Sequence, residues 1–180
     1  MVHYVSLLVS IIAASGLAAA GPVDTRTVKP RYAAPSAPLA DGTYIVSNRE
    51  DGSTAWQLID APKSSPRDLP ASLFTKRDSE GPNCRGRTVN VNDKNAAQQQ
   101  LLDLCGGAGF TWSGKSIVKA SGSAIAYGCD YGGSQTCHSG DLSGFFGALD
   151  SSCGVDGAGY YAKHEWKVGY GRDVNGAGIC

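Results

Sequence analysis

The sequence predicts an α+β fold: a small α/β sandwich in which an antiparallel sheet of about four to five strands carries two helices on one face, stapled by disulfides. Three observations predict it. All six cysteines and 20 of the 24 glycines lie after Lys76-Arg77, whereas seven of the eight prolines lie before it. Downstream of that pair, short β-type runs alternate with two segments of helical periodicity. The downstream stretch has 103 residues, enough for a modest core, and its glycine content raises the entropy lost on folding, so cross-links are expected to help hold it.

Met1 to Ala20 reads as a secretory signal. Val5 to Ala14 is apolar apart from Ser6 and Ser10, and Ala18-Ala19-Ala20 supplies the small-x-small cleavage pattern. The run is shorter than the ~20 apolar residues a membrane-spanning helix needs. The expected product is soluble, extracellular and free of stable membrane insertion, in a compartment where disulfides persist.

Residues 21–77 read as a pro-segment. Pro22, Pro30, Pro35, Pro38, Pro62, Pro66 and Pro70 break helices, and their flanks are small and polar. One part has strand character. Thr43 to Val46 and Thr54 to Ile59 are β-type runs separated by Glu50-Asp51-Gly52, the pattern of a hairpin over 43–59. Such a hairpin is marginal alone; it either packs on the downstream module, chaperoning it or masking a face, or belongs to a disordered spacer. Lys76-Arg77, a dibasic pair in a polar context, is the expected processing site, which makes 78–180 the mature domain.

Within that module, Arg87 to Val91 alternates as a short strand, and Asp93 is placed to cap a helix from Lys94. Ala97, Leu101, Leu104 and Ala108 form its buried stripe, ended by Gly106-Gly107. Ile117 to Ala120 and Ser123 to Tyr127 flank a tight turn at Ser121-Gly122. Asp141 opens a second helix with Leu142, Phe145, Phe146 and Leu149 on its apolar face. Ala158 to Tyr170 alternates as one half-buried strand, Tyr160, His164, Trp166 and Tyr170 on one side and Tyr161, Lys163, Glu165 and Lys167 on the other. The order is that of a split βαββαβ arrangement.

Cys84, Cys105, Cys129, Cys137, Cys153 and Cys180 allow 15 pairings, among which spacing does not choose. No C-x-x-C pair occurs, so neither a metal nor another cofactor is expected. The formal charge is balanced overall, and 78–180 holds 8 basic and 10 acidic residues, which argues against a nucleic-acid partner. His138 and His164, with Asp141 or Glu165, are the residues from which a secreted ribonuclease would draw an acid–base pair. His164 reads as a core histidine and His138 as surface, no hydrolase or phosphate-loop motif is present, and a non-enzymatic role is expected. The outer face of the last strand and the loop Asp130-Tyr131-Gly132-Gly133-Ser134 read either as solvated structure or as contact surfaces for a glycan or receptor.

Asn83-Cys84-Arg85-Gly86, then Asp103-Leu104-Cys105-Gly106, Thr111-Trp112, Gly122 to Tyr127, and a helix running to Cys153-Gly154 before a closing C-terminal cysteine follow one another in a known order. In this the module, from Asn83 to Cys180, resembles the smut-fungus killer toxins of the KP-four type and their cellular relatives in other fungi. The resemblance implies a compact α/β sandwich and a toxin or effector that inhibits competing fungal or plant cells through a target-cell surface protein, with interference in calcium entry; a monomer is expected. A non-toxic apoplastic effector that binds a host protein or cell-wall glycan is the alternative. A lysine in the strand after the Trp motif matters in the family; counting from Trp112 points to Lys119, and counting back from Tyr127 points to Lys115. The resemblance further implies Cys84–Cys153, Cys105–Cys180 and Cys129–Cys137 bridges. Two departures stand out: the smut toxin carries ten cysteines and is basic, whereas this module has six and is slightly acidic.

Overall fold

The computed structural model describes residues 30–59 and 80–180. The signal segment and Lys76-Arg77 lie outside the described residues. The chain forms β1 (Gly42–Asn48), β2 (Thr54–Ile59), β3 (Gly81–Thr88), α1 (Val91–Cys105), β4 (Phe110–Ser113) and β5 (Ser116–Ser121). It continues through β6 (Ala124–Asp130), β7 (Ser134–Cys137), α2 (Ser139–Cys153), β8 (Gly157–Lys163) and β9 (Val168–Val174).

Among the described residues the class is α+β with two helices, but the sheet is larger than the sequence suggests. Its order is β2-β1-β5-β6-β9-β8-β3, seven strands with every neighbouring pair antiparallel. Five come from the module. The other two are the upstream hairpin, whose β1 pairs with β5 from Gly42↔Ala120 to Val46↔Ser116. That hairpin turns where the sequence places it: Asp51 accepts from the Ser53 amide at 2.8 Å and from its hydroxyl at 2.6 Å. A separate ribbon of β4 and β7, unforeseen from the sequence, lies outside the main sheet.

Both helices cover one face. Ala97, Leu101 and Cys105 from α1 and Leu142, Phe146 and Leu149 from α2 bury against Ile117, Ala126, Val168 and Tyr170. The opposite face holds Tyr44, Val46, Val118, Ala120, Ile125 and Tyr127, and among the described residues no helix covers it. Tyr32, Leu39, Ile179 and Cys180 from the two irregular ends of the described chain pack there instead. Tyr32 and Ile179 form an antiparallel bridge across this layer.

Several local expectations are corrected. The first module strand is not Arg87 to Val91: it runs Gly81–Thr88, and Val91 already begins α1. Its glycines and Pro82 disguise it as loop, yet it sits at the sheet edge, where proline is tolerated, and is irregular between Cys84 and Thr88. Asn90, not Asp93, caps α1, its side-chain oxygen accepting from the amides of Asn92 and Asp93 at 3.0 and 3.1 Å. Asp93 instead ties the helix start to the β5–β6 turn, accepting from the Ser123 amide and hydroxyl at 2.8 and 2.6 Å. That turn is Gly122-Ser123; Gly122 has φ +51°, and a Cβ there would lie 2.6 Å from the Asp93 carboxylate, so only glycine fits. The α1 stripe runs through Ala97, Leu101 and Cys105 while Leu104 is half-buried and Ala108 lies beyond the helix, exposed.

Ala158 to Tyr170 is not one strand but the hairpin β8–β9, with its turn at His164-Glu165-Trp166-Lys167. Reversal of the chain puts Tyr161 opposite Tyr170, so Tyr160 and Tyr170, expected on a common face, stand on opposite faces. His164 is therefore an exposed turn residue rather than a core histidine.

The bridges are Cys84–Cys153, Cys105–Cys137 and Cys129–Cys180. The first agrees with the resemblance; the pairings Cys105–Cys180 and Cys129–Cys137 do not occur. The layers explain why. Cys105 and Cys137 belong to the core under the helices, whereas Cys129 lies in the core of the opposite face with Cys180 packed against it. The β4–β7 ribbon pairs Cys137 with Phe110, just past the end of α1. Among the described residues no helix is long and apolar enough to cross a membrane.

Candidate functional surface

Lys119 lies in the middle of β5 and pairs in register with Thr43 of β1. Its ammonium donates to the Thr43 hydroxyl at 2.6 Å. Partial burial pushes its pKa below the usual lysine value, with the nearby Asp103 carboxylate pulling the other way. Lys115 sits in the Gly114-Lys115 connection between β4 and β5, half-buried. Four residues of strand separate the two lysines by ~13 Å, so they do not form one cationic spot. In the intact chain, then, the lysine singled out by the resemblance is engaged by the upstream hairpin.

The histidines stand on different elements. His138 is the N-cap residue of α2, exposed, with Nδ1 3.4 Å from the Gly107 carbonyl. His164 is in the β8–β9 turn, and Asp141 is in the first turn of α2. The polar contact of His138 is a backbone oxygen, the Gly107 carbonyl. No group of three or more His, Cys, Asp or Glu side chains that could hold a metal occurs among the described residues.

The β8–β9 hairpin and α2 build an aromatic platform. Phe145 of α2 stacks on Tyr161 with ring centroids 4.6 Å apart and on Tyr170 at 5.6 Å, and meets Trp166 edge-on at 6.0 Å. Such contacts contribute about 0.5–1.5 kcal/mol each beyond burial and hold the rings in place. Lys163 lies over the Trp166 ring at 5.7 Å and bonds Glu80 at 2.7 Å, with Glu165 at 3.5 Å. The Glu80 hydrogen bond raises its pKa above the usual lysine value. Trp166 itself remains 45% exposed, a large apolar ring turned to solvent at a braced tip. Phe145 carries this site, and the sequence places it only on the apolar face of the second helix.

Tyr131 of the 130–134 loop is half-buried. The Asp130 carboxylate, fully buried, gathers the amides of Gly114 and Gly132 and the Gln135 side chain. The Tyr131 backbone amide donates to the Lys167 carbonyl at 2.9 Å, and its ring lies under the Arg31 guanidinium, 6.0 Å from the ring centre.

Two buried charge groups went unnoticed in the sequence. Arg172 donates to Gly154 and Gly157 carbonyls at 2.7 Å each and to Asp150, and Lys94 donates to the Val155 carbonyl at 2.7 Å and to Asp150 at 3.3 Å. Helix α2 has no basic residue in its last turn. These two distant cations collect at its negative end, so the group is structural. On the other face Asp173 meets Arg85 at 3.3 Å and Arg87 at 2.9 Å. Burial pushes the Asp173 pKa up, opposed by the two guanidinium groups. A shallow open groove of about 600 Å³ between the helices is lined by Gln99, Leu102, Asp103 and Ser143 among others. No protein-family model, curated protein or solved structure matches the chain.

Proposed function

We propose that this chain is a secreted, proteolytically matured toxin or effector that inhibits competing fungal or plant cells by binding a protein at the target-cell surface, such as a calcium channel. One observation carries the reading: an exposed indole, Trp166, is braced by Phe145, which itself stacks on Tyr161, and is flanked by Lys163 on a fold tied by three disulfides. Rigid aromatic anchors with an adjacent cation dominate protein-binding surfaces, because little side-chain entropy is lost on contact. The disulfides and the absence, among the described residues, of a helix fit to cross a membrane suit extracellular work. Lys119 and Lys115 are the contacts that the killer-toxin resemblance supplies. The reading gives Trp166 and Lys163 first place, because Lys119 is engaged by Thr43 while β1 is present.

Purified secreted protein, with fold and disulfides verified, is expected to slow growth of a fungus or of root tissue at sub-millimolar concentration. Normal growth at every concentration tested defeats the toxin reading. The same platform also suits a sugar ring, which stacks on exposed aromatic faces, so an apoplastic effector that sequesters a host protein or cell-wall glycan is the second reading. Binding to insoluble chitin or to an apoplastic protein, without growth inhibition, would select it.

A further inference from the structure

The upstream segment is built into the module far more deeply than a discarded leader needs to be. β1 is an interior strand of the sheet, with β2 on one side and β5 on the other. Val46 and Tyr32 are fully buried, and Tyr44 nearly so. The groups they cover are Val118, Ala120, Ile125 and Ile179, each wholly shielded from solvent. Polar contacts run the length of the joint. Tyr32 and Ile179 exchange backbone hydrogen bonds at 3.0 and 3.2 Å, and the Arg31 amide donates to the Cys180 carbonyl at 3.0 Å. The Asn175 side chain accepts from the Leu39 amide at 2.8 Å and donates to its carbonyl at 2.7 Å. Asp41 accepts from the Gly122 amide at 2.7 Å, and the Arg31 side chain donates to the Asp130 carbonyl. Yet every cysteine of the chain lies at position 84 or beyond, so no disulfide joins this segment to the rest.

We infer that residues 30–59 stay bound to residues 80–180 after the chain is cut between them, as a non-covalent second chain whose β1 completes the sheet. The inference rests on the reading that the protein is processed after Arg77. Loss of the segment would bare the edge of β5 and the second apolar core at once, an unpaired strand beside a hydrophobic patch. Strand addition combines backbone pairing with alternate side-chain burial, and the segment adds a clasp around the chain's last residues. The working molecule is then two chains, with Lys119 still held by Thr43 and the Trp166 platform free.

The test uses the full chain with a site-specific protease sequence inserted between Arg77 and Asp78. The folded, oxidised protein is cut and passed through gel filtration and native mass spectrometry. One peak carrying the summed mass of both pieces is expected, and denaturant without reductant should separate them. Pieces that part in native buffer overturn the inference. Val46→Ala, made in the same chain and checked for fold before cutting, should speed release of the segment about tenfold, in line with the lost burial; an unchanged release rate also counts against β1 as the hold. The naturally secreted product reports separately on processing: an uncut chain there refutes cleavage after Arg77, while the engineered cut still decides retention.

Discussion

The Lys119 ammonium and the Thr43 hydroxyl, 76 positions apart in sequence, meet at 2.6 Å across the joint between β5 and β1. The contact links the residue that the killer-toxin resemblance singles out to a segment expected to be removed. It also has a measurable consequence. Thr43→Val keeps the strand shape but leaves a half-buried ammonium without its acceptor. A hydrogen bond to a charged group contributes about 1.5–3 kcal/mol when buried, and the open side of Lys119 reduces this to about 1 kcal/mol. A guanidinium unfolding midpoint lowered in Thr43→Val, but not further in the double variant with Lys119→Met, is the expected result. Additive losses would mean the two side chains do not interact.

Cross-linking gives a second prediction. Peptide mapping of oxidised protein should recover Cys84–Cys153, Cys105–Cys137 and Cys129–Cys180. Replacing Cys129 and Cys180 together by serine should cost ~2–4 kcal/mol. It should also loosen the segment at Tyr32, because Ile179, its partner, then loses its anchor. A Cys105–Cys180 peptide in the digest would show that the layers described above are wrongly assigned.

Trp166→Ala separates binding from folding. The indole is half outside the structure, and its loss removes one edge contact with Phe145 and the Lys163 stack. Stability should fall by about 1 kcal/mol or less. Growth inhibition, if this platform is the contact, should fall at least about tenfold, since truncating an anchor aromatic costs ~2 kcal/mol or more of binding. Lys119→Gln, tested beside it, should leave inhibition nearly intact while β1 is in place. The reverse ranking would move the contact to Lys119 and imply that β1 leaves.

What could be read from the sequence follows from how locally each feature is encoded. The β5–β6 turn was legible because Gly122 marks it, and the 43–59 hairpin because Asp51-Gly52 does. The β8–β9 turn was not, because His164-Glu165-Trp166-Lys167 holds no turn residue, and Lys167 takes φ +52° without being glycine. Missing it turned one hairpin into one strand and hid the aromatic platform, which depends on bringing Tyr161 opposite Tyr170. Disulfide pairing and the burial of Arg172 beside Lys94 depend on the layer each residue enters, a property of topology rather than of neighbours. The same holds for β1: its pattern showed a strand, but nothing local showed β5 as its partner.

Tyr127 gives the last prediction, in pH. It is wholly buried on the sheet face opposite the helices, and its ring fills the space where a Cβ at Gly171 would lie only 2.4 Å away. Its hydroxyl has no hydrogen-bond partner among the described residues. Burial pushes its pKa far above the ordinary tyrosine value of 10.0, with Arg85 only partly offsetting this. Because the folded state holds the proton more tightly than the unfolded chain, this contribution to stability is complete below pH 10 and is lost as pH rises beyond it toward the folded value. Tyr127→Phe removes both the orphaned hydroxyl and that dependence. At neutral pH it should be neutral or stabilising by about 1 kcal/mol. In alkali the unfolding transition should move to higher pH, the remaining loss coming from Tyr170, whose pKa is also raised by burial. Circular dichroism followed from pH 7 to 12 on both proteins checks it, and identical alkaline midpoints would mean that Tyr127 is hydrated rather than sealed in the core.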